Sequence, residues 1–393
     1  MSTSVTTIHA GKVLIGDEFV EKNNQVIEIN NGKIGKIREL KKGEKPTYSF
    51  PESTLSPGFI DTHVHLFSDS SANFGANKTD SDHMIQIFGN MGEFLSAGVT
   101  TVRDLGSPGT LVADTRDAVN RGQVIGPRIL TANRVITITG GHGYQIGIEC
   151  DSESDLRTAV RQLVKEGADC IKIMASGGFV HAGRHEGESL YRPLFSLEQM
   201  KVIVNEAHKF GLHVAAHCQN RDAIEMALDS GVDTIEHLTF TAKPLATVDV
   251  NLVKRIVDAG KYVVPTVNNY WLTVGVPWAE KDLALANLRL LYDLGLKMIA
   301  GTDAGIPTTT PNLYAQGLQV FDAIGIDKKY ILRSATLWAA DAIKLGDTVG
   351  QIKEGFSADL VALRLNPLET TEAYFSPQAV FRDGILVAGH RQF

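Results

Sequence analysis

Short apolar segments of strand length recur through the middle of the chain, and segments with helical periodicity lie between most of them. The clearest helical stretches are residues 154–166, 196–210 and 250–259. The strand candidates begin near Phe59, Val99, Arg128, Cys170, His213, Thr234, Tyr262 and Met298. Eight strand candidates that alternate with helical crossovers predict an α/β fold, the (β/α)8 barrel.

The two ends of the chain have a different pattern. Residues 1–56 form short strand-like segments separated by turns, and the Asn-Asn-Gly sequence at residues 30–32 predicts a hairpin. Strand-like sequence returns after Gly350. A barrel takes about 250 residues, so a chain of 393 residues has room for an additional β-rich part.

Composition excludes several classes of function. The net charge of −7 argues against nucleic acid, which is bound through clustered Lys and Arg residues. The three cysteines, Cys150, Cys170 and Cys218, have spacings that fit neither a zinc finger nor a disulfide framework. We find no secretory signal and no uncharged apolar run of about 18 residues, so we predict a cytoplasmic protein without a membrane span.

Residues that commonly bind metals occur at or near the ends of five strand candidates. His63 and His65 alternate in one strand and therefore face the same side, where both can bind one ion. Lys172, His217, His237 and Asp303 follow in later strands. A single histidine at a strand end is more often a hydrogen-bonded rim residue than a ligand. The joint order of all six residues favours a metal-dependent hydrolase.

The chain resembles the amidohydrolase superfamily, and within it the zinc-dependent dipeptidases that include prolidase-like and arginine-carboxypeptidase-like enzymes. The resemblance covers nearly the whole chain. Its motifs are PGFIDTHVHL from residue 57, GVTTVRDLG at 98–106, TGGHG at 139–143, IKIMASGG at 171–178, AAH at 215–217, IEH at 235–237 and GTDAG at 301–305.

The resemblance implies two divalent metal ions. His63, His65 and Asp303 would hold the more buried ion, and His217 and His237 the more exposed one. Lys172 would bridge both ions after reaction with carbon dioxide, because an unmodified ammonium has no lone pair. Such a pair can share a hydroxide and polarise a substrate carbonyl. Asp303 would be the general base and then the general acid; the imidazole ligands favour zinc.

The resemblance extends to the C-terminal β segment, in ADLVALRLNP at residues 358–367 and Asp-Gly at 383–384. It implies that both chain ends combine in one small β-sandwich domain, residues 1–56 plus 350–393. The barrel would then occupy residues 57–349.

The candidate substrate-binding residues lie in the loops that follow the predicted strands. His142, in the glycine-rich loop at 139–147, is our candidate for contact with the substrate carbonyl or carboxylate and for a catalytic role beside Asp303, and Tyr144 is a second candidate. Arg184 or Arg192 could bind a carboxylate with its guanidinium fork. Tyr270 could supply an apolar wall.

Two segments depart from the pattern of the prolidase-like enzymes. The loop at residues 177–195 is richer in histidine, and Cys218 follows His217 where we expect alanine or glycine. The resemblance therefore predicts the metal chemistry but does not identify the substrate.

We predict a binuclear hydrolase that cleaves the amide bond of dipeptides or N-acyl amino acids, with a small-molecule amide or dipeptide as substrate and neither nucleic acid nor membrane as a partner. The alternatives are a cyclic-amide hydrolase, a ring aminohydrolase that releases ammonia, and a non-catalytic binding protein. Lys172 argues against mononuclear deaminases, which generally lack the bridging lysine, and the complete set of ligand residues argues against a mere scaffold. A homo-oligomer is compatible with the sequence.

Overall fold

The computed structural model describes residues 5–74, 78–179, 190–242, 245–273, 275–277, 279–375 and 377–389. Its strands are β1 Thr6–Ile15, β2 Val20–Asn30, β3 Lys33–Glu39, β4 Tyr48–Pro57, β5 Phe59–Val64, β6 Val99–Asp104, β7 Arg128–Thr131, β8 Val135–Thr137, β9 Gly147–Glu149, β10 Cys170–Met174, β11 His213–Cys218, β12 Thr234–His237, β13 Tyr262–Val264, β14 Lys297–Met298, β15 Leu360–Leu363, β16 Pro377–Arg382 and β17 Ile385–Gly389. Its α-helices are α1 Asp80–Ser96, α2 Leu111–Asn120, α3 Glu153–Lys165, α4 Leu197–Lys209, α5 Arg221–Ser230, α6 Val250–Asp258, α7 Lys281–Asp293, α8 Tyr314–Ala323, α9 Lys328–Ala335 and α10 Leu337–Ala342.

Parallel strands form the predicted barrel in two arcs. One arc has the order β5-β6-β7, and the other has the order β9-β8-β10-β11-β12-β13-β14. Backbone hydrogen bonds close the ring, from Asp169 N to the Thr131 carbonyl at 2.8 Å and from Thr62 N to the Ala300 carbonyl at 3.1 Å. The (β/α)8 prediction is confirmed, and each strand candidate begins within one residue of an observed strand.

Two short strands of the barrel wall were not predicted. β8 and β9 have three residues each, and they pair with each other in parallel. β8 also pairs with β10 through Ile136 and Ile173. A segment of three residues is too short to show a periodicity, which is why the sequence indicated only a loop here.

Both chain ends contribute to a second sheet, with the order β17-β16-β15-β4-β1-β2-β3. β15 pairs antiparallel with β4, so that Leu360 lies opposite Pro57. The hairpin between β2 and β3 turns at Asn31 and Gly32, whose φ angles of 50° and 77° are those of a type I′ turn. The β-rich domain from both ends is confirmed, while its exact residue limits stay a prediction.

Charged and close-packed contacts join the second sheet to the barrel. Arg128, the first residue of β7, donates to Asp359 at 3.1 Å and to Asp383 at 3.2 Å. Gly58 lies between β4 and β5, where a Cβ atom would come within 2.1 Å of the Thr100 hydroxyl. Only glycine allows so close an approach of β5 to β6.

Within the described ranges, no helix combines the length and the apolar character needed to cross a membrane.

Candidate metal centre

The six predicted ligand residues converge on one cavity at the carboxyl ends of the barrel strands. All six are buried and line this cavity, which has a volume of about 550 Å³: His63, His65, Lys172, His217, His237 and Asp303. They lie in β5, directly after β5, in β10, β11 and β12, and in the loop that follows β14. Parallel strands place their carboxyl ends on one rim, which explains how residues far apart in sequence meet here.

His63, His65 and Asp303 form the tightest group. The Nε2 atoms of His63 and His65 lie 3.5 and 3.3 Å from Asp303 Oδ1, and ligand atoms of the three residues lie within 4.8 Å of one another. The Nδ1 atom of His65 donates to the Gly106 carbonyl at 2.8 Å. In the neutral ring this bond leaves Nε2 with a free lone pair, so the group fits a divalent cation. Burial alone would lower the pKa of His65, but the Asp303 carboxylate outweighs burial and raises it.

His217 and His237 form the other side of the cluster. Their ring centroids are 4.4 Å apart, and the His237 ring lies 5.1 Å from that of His63. His217 Nε2 donates to the Gly177 carbonyl at 3.1 Å, which leaves Nδ1 as its acceptor nitrogen. Burial lowers the pKa of His63, His217 and His237 well below the ordinary value. Neutral imidazoles have the lone pair that a metal ion requires.

The two ionisable groups between the histidines are buried. Lys172 is 1% exposed, and neither its Nζ atom nor Asp303 Oδ1 has a hydrogen-bond partner in the described part of the chain. Burial lowers the pKa of Lys172 to about 8. Burial alone would raise the pKa of Asp303, but His63 and His65 outweigh it and hold that pKa at about 2. A buried polar atom without a partner is costly. A cation would complete the surroundings of Asp303 Oδ1, whereas Lys172 Nζ as an ammonium is a donor and would need an acceptor.

Three residues around the cluster have left-handed backbone conformations. The φ angles of His237, Thr266 and Asp303 are 70°, 50° and 62°. Non-glycine residues in this region cost of order 1–3 kcal/mol each and concentrate at functional sites. The hydrogen bond of 2.9 Å between His237 Nδ1 and the Thr266 hydroxyl joins two of these positions.

A buried charge network behind His63 was not identified from the sequence. Glu236 accepts from His63 Nδ1 at 2.8 Å and from Arg103 Nη2 at 3.0 Å, and both Glu236 and Arg103 are 0% exposed. Thr234 also donates to this carboxylate at 2.6 Å. The available signal was an ionisable residue within an otherwise apolar strand, in VTTVRD and in TIEH.

Asp61 fixes the position of Asp303 relative to His63. Its Oδ1 atom accepts from the backbone of His63 at 3.2 Å and from that of Thr302 at 3.1 Å. Its Oδ2 atom accepts from the Thr302 hydroxyl at 2.6 Å. Asp61 therefore joins the end of β5 to the residue that precedes Asp303.

The predicted substrate-binding residues have different locations. His142 lines the cavity and packs on Gly178, where a Cβ atom would lie 2.2 Å from His142 Nε2. Tyr270 also lines the cavity, but its hydroxyl donates to the Pro307 carbonyl at 2.8 Å and can only accept from a ligand. Tyr144 and the exposed Arg192 are not among the described lining residues. Arg184 lies outside the described residues.

The chain is similar to known proteins over most of its length. A model of the amidohydrolase family matches residues 54–387. Ochratoxinase from Aspergillus niger is 26% identical over 424 aligned positions, which cover 96% of this chain and 84% of that protein. An imidazolonepropionase from Caldanaerobacter subterraneus subsp. tengcongensis is 25% identical over 386 positions, which cover 88% and 85%. A solved Xaa-Pro dipeptidase with bound methionine in its active site superposes with a TM-score of 0.85 and 27% identity over 98% of this chain and 99% of that one.

Replacement of Glu236 by Gln tests whether the buried network supports the site. We expect Glu236→Gln to lower the free energy of unfolding by about 3 kcal/mol, because the buried Arg103 loses its counter-charge. Affinity for a divalent metal ion should fall by roughly 10- to 100-fold, because His63 loses its orienting carboxylate. Chemical denaturation and metal titration measure these effects, with the surface variant Glu354→Gln as the control. If Glu236→Gln has the same free energy of unfolding and the same metal affinity as the wild type, the network does not support His63.

Proposed function

The chain belongs to the amidohydrolase family, and we propose that it is a binuclear metal hydrolase that cleaves the amide bond of dipeptides or N-acyl amino acids. Its family and its similarity to an Xaa-Pro dipeptidase make it a hydrolase of carbon–nitrogen bonds in small molecules. The observation that carries the proposal is the convergence of all six candidate ligand residues on one cavity. The buried Nζ of Lys172 and Oδ1 of Asp303 lie inside this cluster.

The donor set divides into two groups joined by Lys172. His63, His65 and Asp303 would hold one ion, and His217 and His237 would hold the other. The neutral amine of Lys172 would attack the carbon of CO2, form a nitrogen–carbon bond and lose a proton. The resulting carbamate would share one negative charge between two oxygens, which could serve the two sides of the site. Imidazole and oxygen donors favour zinc.

When bound, the ions would polarise the substrate carbonyl and lower the pKa of a water molecule. Asp303 is ionised near neutral pH, since its pKa is about 2. Its carboxylate would accept the proton of the attacking water and then transfer that proton to the leaving nitrogen. His142, packed over Gly178 beside the cluster, would orient the substrate carbonyl.

A second candidate function is hydrolysis of a cyclic amide or of a ring amine. It is supported by the similarity to an imidazolonepropionase, which extends over 88% of this chain. The same ligand residues would serve this reaction, so the products must distinguish it from the cleavage of linear amides.

A substrate panel tests the proposed reaction. The zinc-loaded enzyme, in bicarbonate buffer, should release amine from dipeptides or N-acyl amino acids. Free amine and free ammonia are measured separately. Ring opening without amine release, or release of ammonia alone, would favour the second candidate. If the protein contains almost no metal after growth in zinc-supplemented medium, that result would favour a non-catalytic binding protein.

Asp303→Asn tests the proton-transfer role. The amide oxygen can still bind an ion, but it is a far weaker base than the carboxylate. We expect kcat to fall by roughly 10²- to 10⁴-fold while the metal content stays close to that of the wild type. Asp17→Asn, in an exposed turn, is the control. Nearly normal turnover by Asp303→Asn would exclude the assigned role.

Lys172→Ala tests the bridging role. We expect this variant to lose activity and to retain fewer than two ions per chain, because both groups lose their shared ligand. Short carboxylic acids in the buffer should partly restore both properties by supplying the missing oxygens. Metal analysis and turnover, with Lys209→Ala at the surface as the control, measure these effects. Two bound ions and full activity in Lys172→Ala would contradict a carbamate bridge.

A further inference from the structure

The cavity wall beyond the metal-ligand cluster is largely apolar. Apart from Lys172, no lysine or arginine occurs among the described residues that line the cavity. A volume of about 550 Å³ is that of a site for a small molecule. This apolar wall is formed by Phe74, Ile146, Met174, Val276, Pro277 and Ile306. The wall favours an uncharged apolar group of the substrate.

The other uncharged polar side chains in this lining have hydrogen-bond partners within the protein. Asn268 donates from Nδ2 to the Thr302 carbonyl at 3.3 Å and accepts at Oδ1 from the backbone of Tyr270 at 3.1 Å. The Tyr270 hydroxyl donates to Pro307, and the Thr266 hydroxyl is paired with His237. These three side chains therefore serve to shape the cavity.

Gln219 differs because its amide NH2 group is available. Its Oε1 atom lies 2.5 Å from the Thr239 hydroxyl, which also lies 2.9 Å from the Gln219 carbonyl oxygen and 2.8 Å from the Thr241 hydroxyl. No hydrogen bond to any described residue uses Nε2. The side chain is 4% exposed and lines the cavity. The Thr239 contact therefore orients the amide with its two N–H donors toward the cavity.

The backbone of Gln219 is held as firmly as its side chain. Its N–H donates to the Ser176 hydroxyl at 2.9 Å, and its carbonyl accepts from Thr241 N at 2.6 Å. Gln219 follows His217 by two residues, the spacing at which extended residues face the same side. A donor fixed in this way loses little conformational entropy when it binds a ligand.

We propose that Gln219 is a substrate-binding residue whose Nε2 donates a hydrogen bond to an oxygen of the substrate next to the scissile amide. The substrate places an uncharged apolar side group against the apolar wall. This inference rests on the proposed amide hydrolysis and specifies its substrate class: N-acyl amino acids, or related amides, with a bulky apolar side chain. The oxygen belongs either to a free carboxylate or to a neutral carbonyl.

Two variants of similar size test this role in the zinc-loaded enzyme. Gln219→Leu removes the donor, and Gln219→Glu replaces it with a negative charge. The substrates are N-acetyl-L-phenylalanine and its carboxamide, and N-acetyl-L-aspartate tests the preference for an apolar group. Gln123→Leu, at an exposed position, is the control. kcat, KM, the calorimetric Kd and the metal content are measured for each variant.

We expect Gln219→Leu to raise KM and Kd by about tenfold, the effect of one hydrogen bond, with kcat and metal content nearly unchanged. If the bound oxygen belongs to a carboxylate, only N-acetyl-L-phenylalanine loses affinity in Gln219→Leu. Gln219→Glu then weakens the binding of this free acid further. If it is a neutral carbonyl, both phenylalanine derivatives lose affinity. The aspartate derivative should be the poorest substrate of the wild type.

Other outcomes separate this inference from the proposed function. An unchanged KM for both phenylalanine derivatives in Gln219→Leu, with amide hydrolysis intact, overturns the role of Gln219. If the wild type binds the phenylalanine derivatives but does not hydrolyse them, and Gln219→Leu binds them more weakly, the role of Gln219 is supported and the proposed reaction is contradicted. If the wild type neither binds nor hydrolyses the phenylalanine derivatives, the proposed substrate class is refuted. Thr239→Val, which removes the orienting hydroxyl, should raise KM by a smaller factor and provides the test if Gln219→Leu fails to fold.

Discussion

The geometry of the site depends on the hydrogen bonds that the Glu236 carboxylate accepts from Arg103 and His63. This carboxylate lies inside the barrel, away from solvent, and joins Arg103 of β6 to His63 of β5. A buried carboxylate is tolerated only when its oxygens are paired, and here both oxygens have partners. The pairing fixes the ring of His63 in one orientation. The position of the ligand cluster thus follows from the need to satisfy a charge in the barrel interior.

The sequence was sufficient where local patterns determine the structure. Strands such as Cys170–Met174 are continuous apolar segments, and helix α3 begins with a Ser152 capping box, so their limits could be predicted closely. The alternation of His63 and His65 placed both side chains on one face. The convergence of the later ligands followed from the parallel barrel. The joining of the two chain ends needed the family resemblance, because no local pattern specifies that β4 pairs with β15.

The parts that could not be predicted depend on contacts between residues far apart in sequence. The Arg103–Glu236 pair spans 133 positions, and nothing near either residue indicates its partner. Gln219 is an ordinary polar residue in the sequence, and its available donor is defined only by the contact with Thr239. The backbone conformations of His237 and Asp303 are likewise imposed by their surroundings, since neither residue type favours positive φ as glycine does.

The pairing of β4 with β15 has a consequence for how the chain folds during synthesis. β4 lies between β1 and β15 in the second sheet, so one edge of β4 has no partner until residue 360 has been made. Ribosomes add about 5–20 residues per second. The nascent chain therefore carries an open strand edge throughout synthesis of the barrel, and such edges invite association between chains. The length of chain that separates the two strands therefore sets how long this edge stays exposed during synthesis.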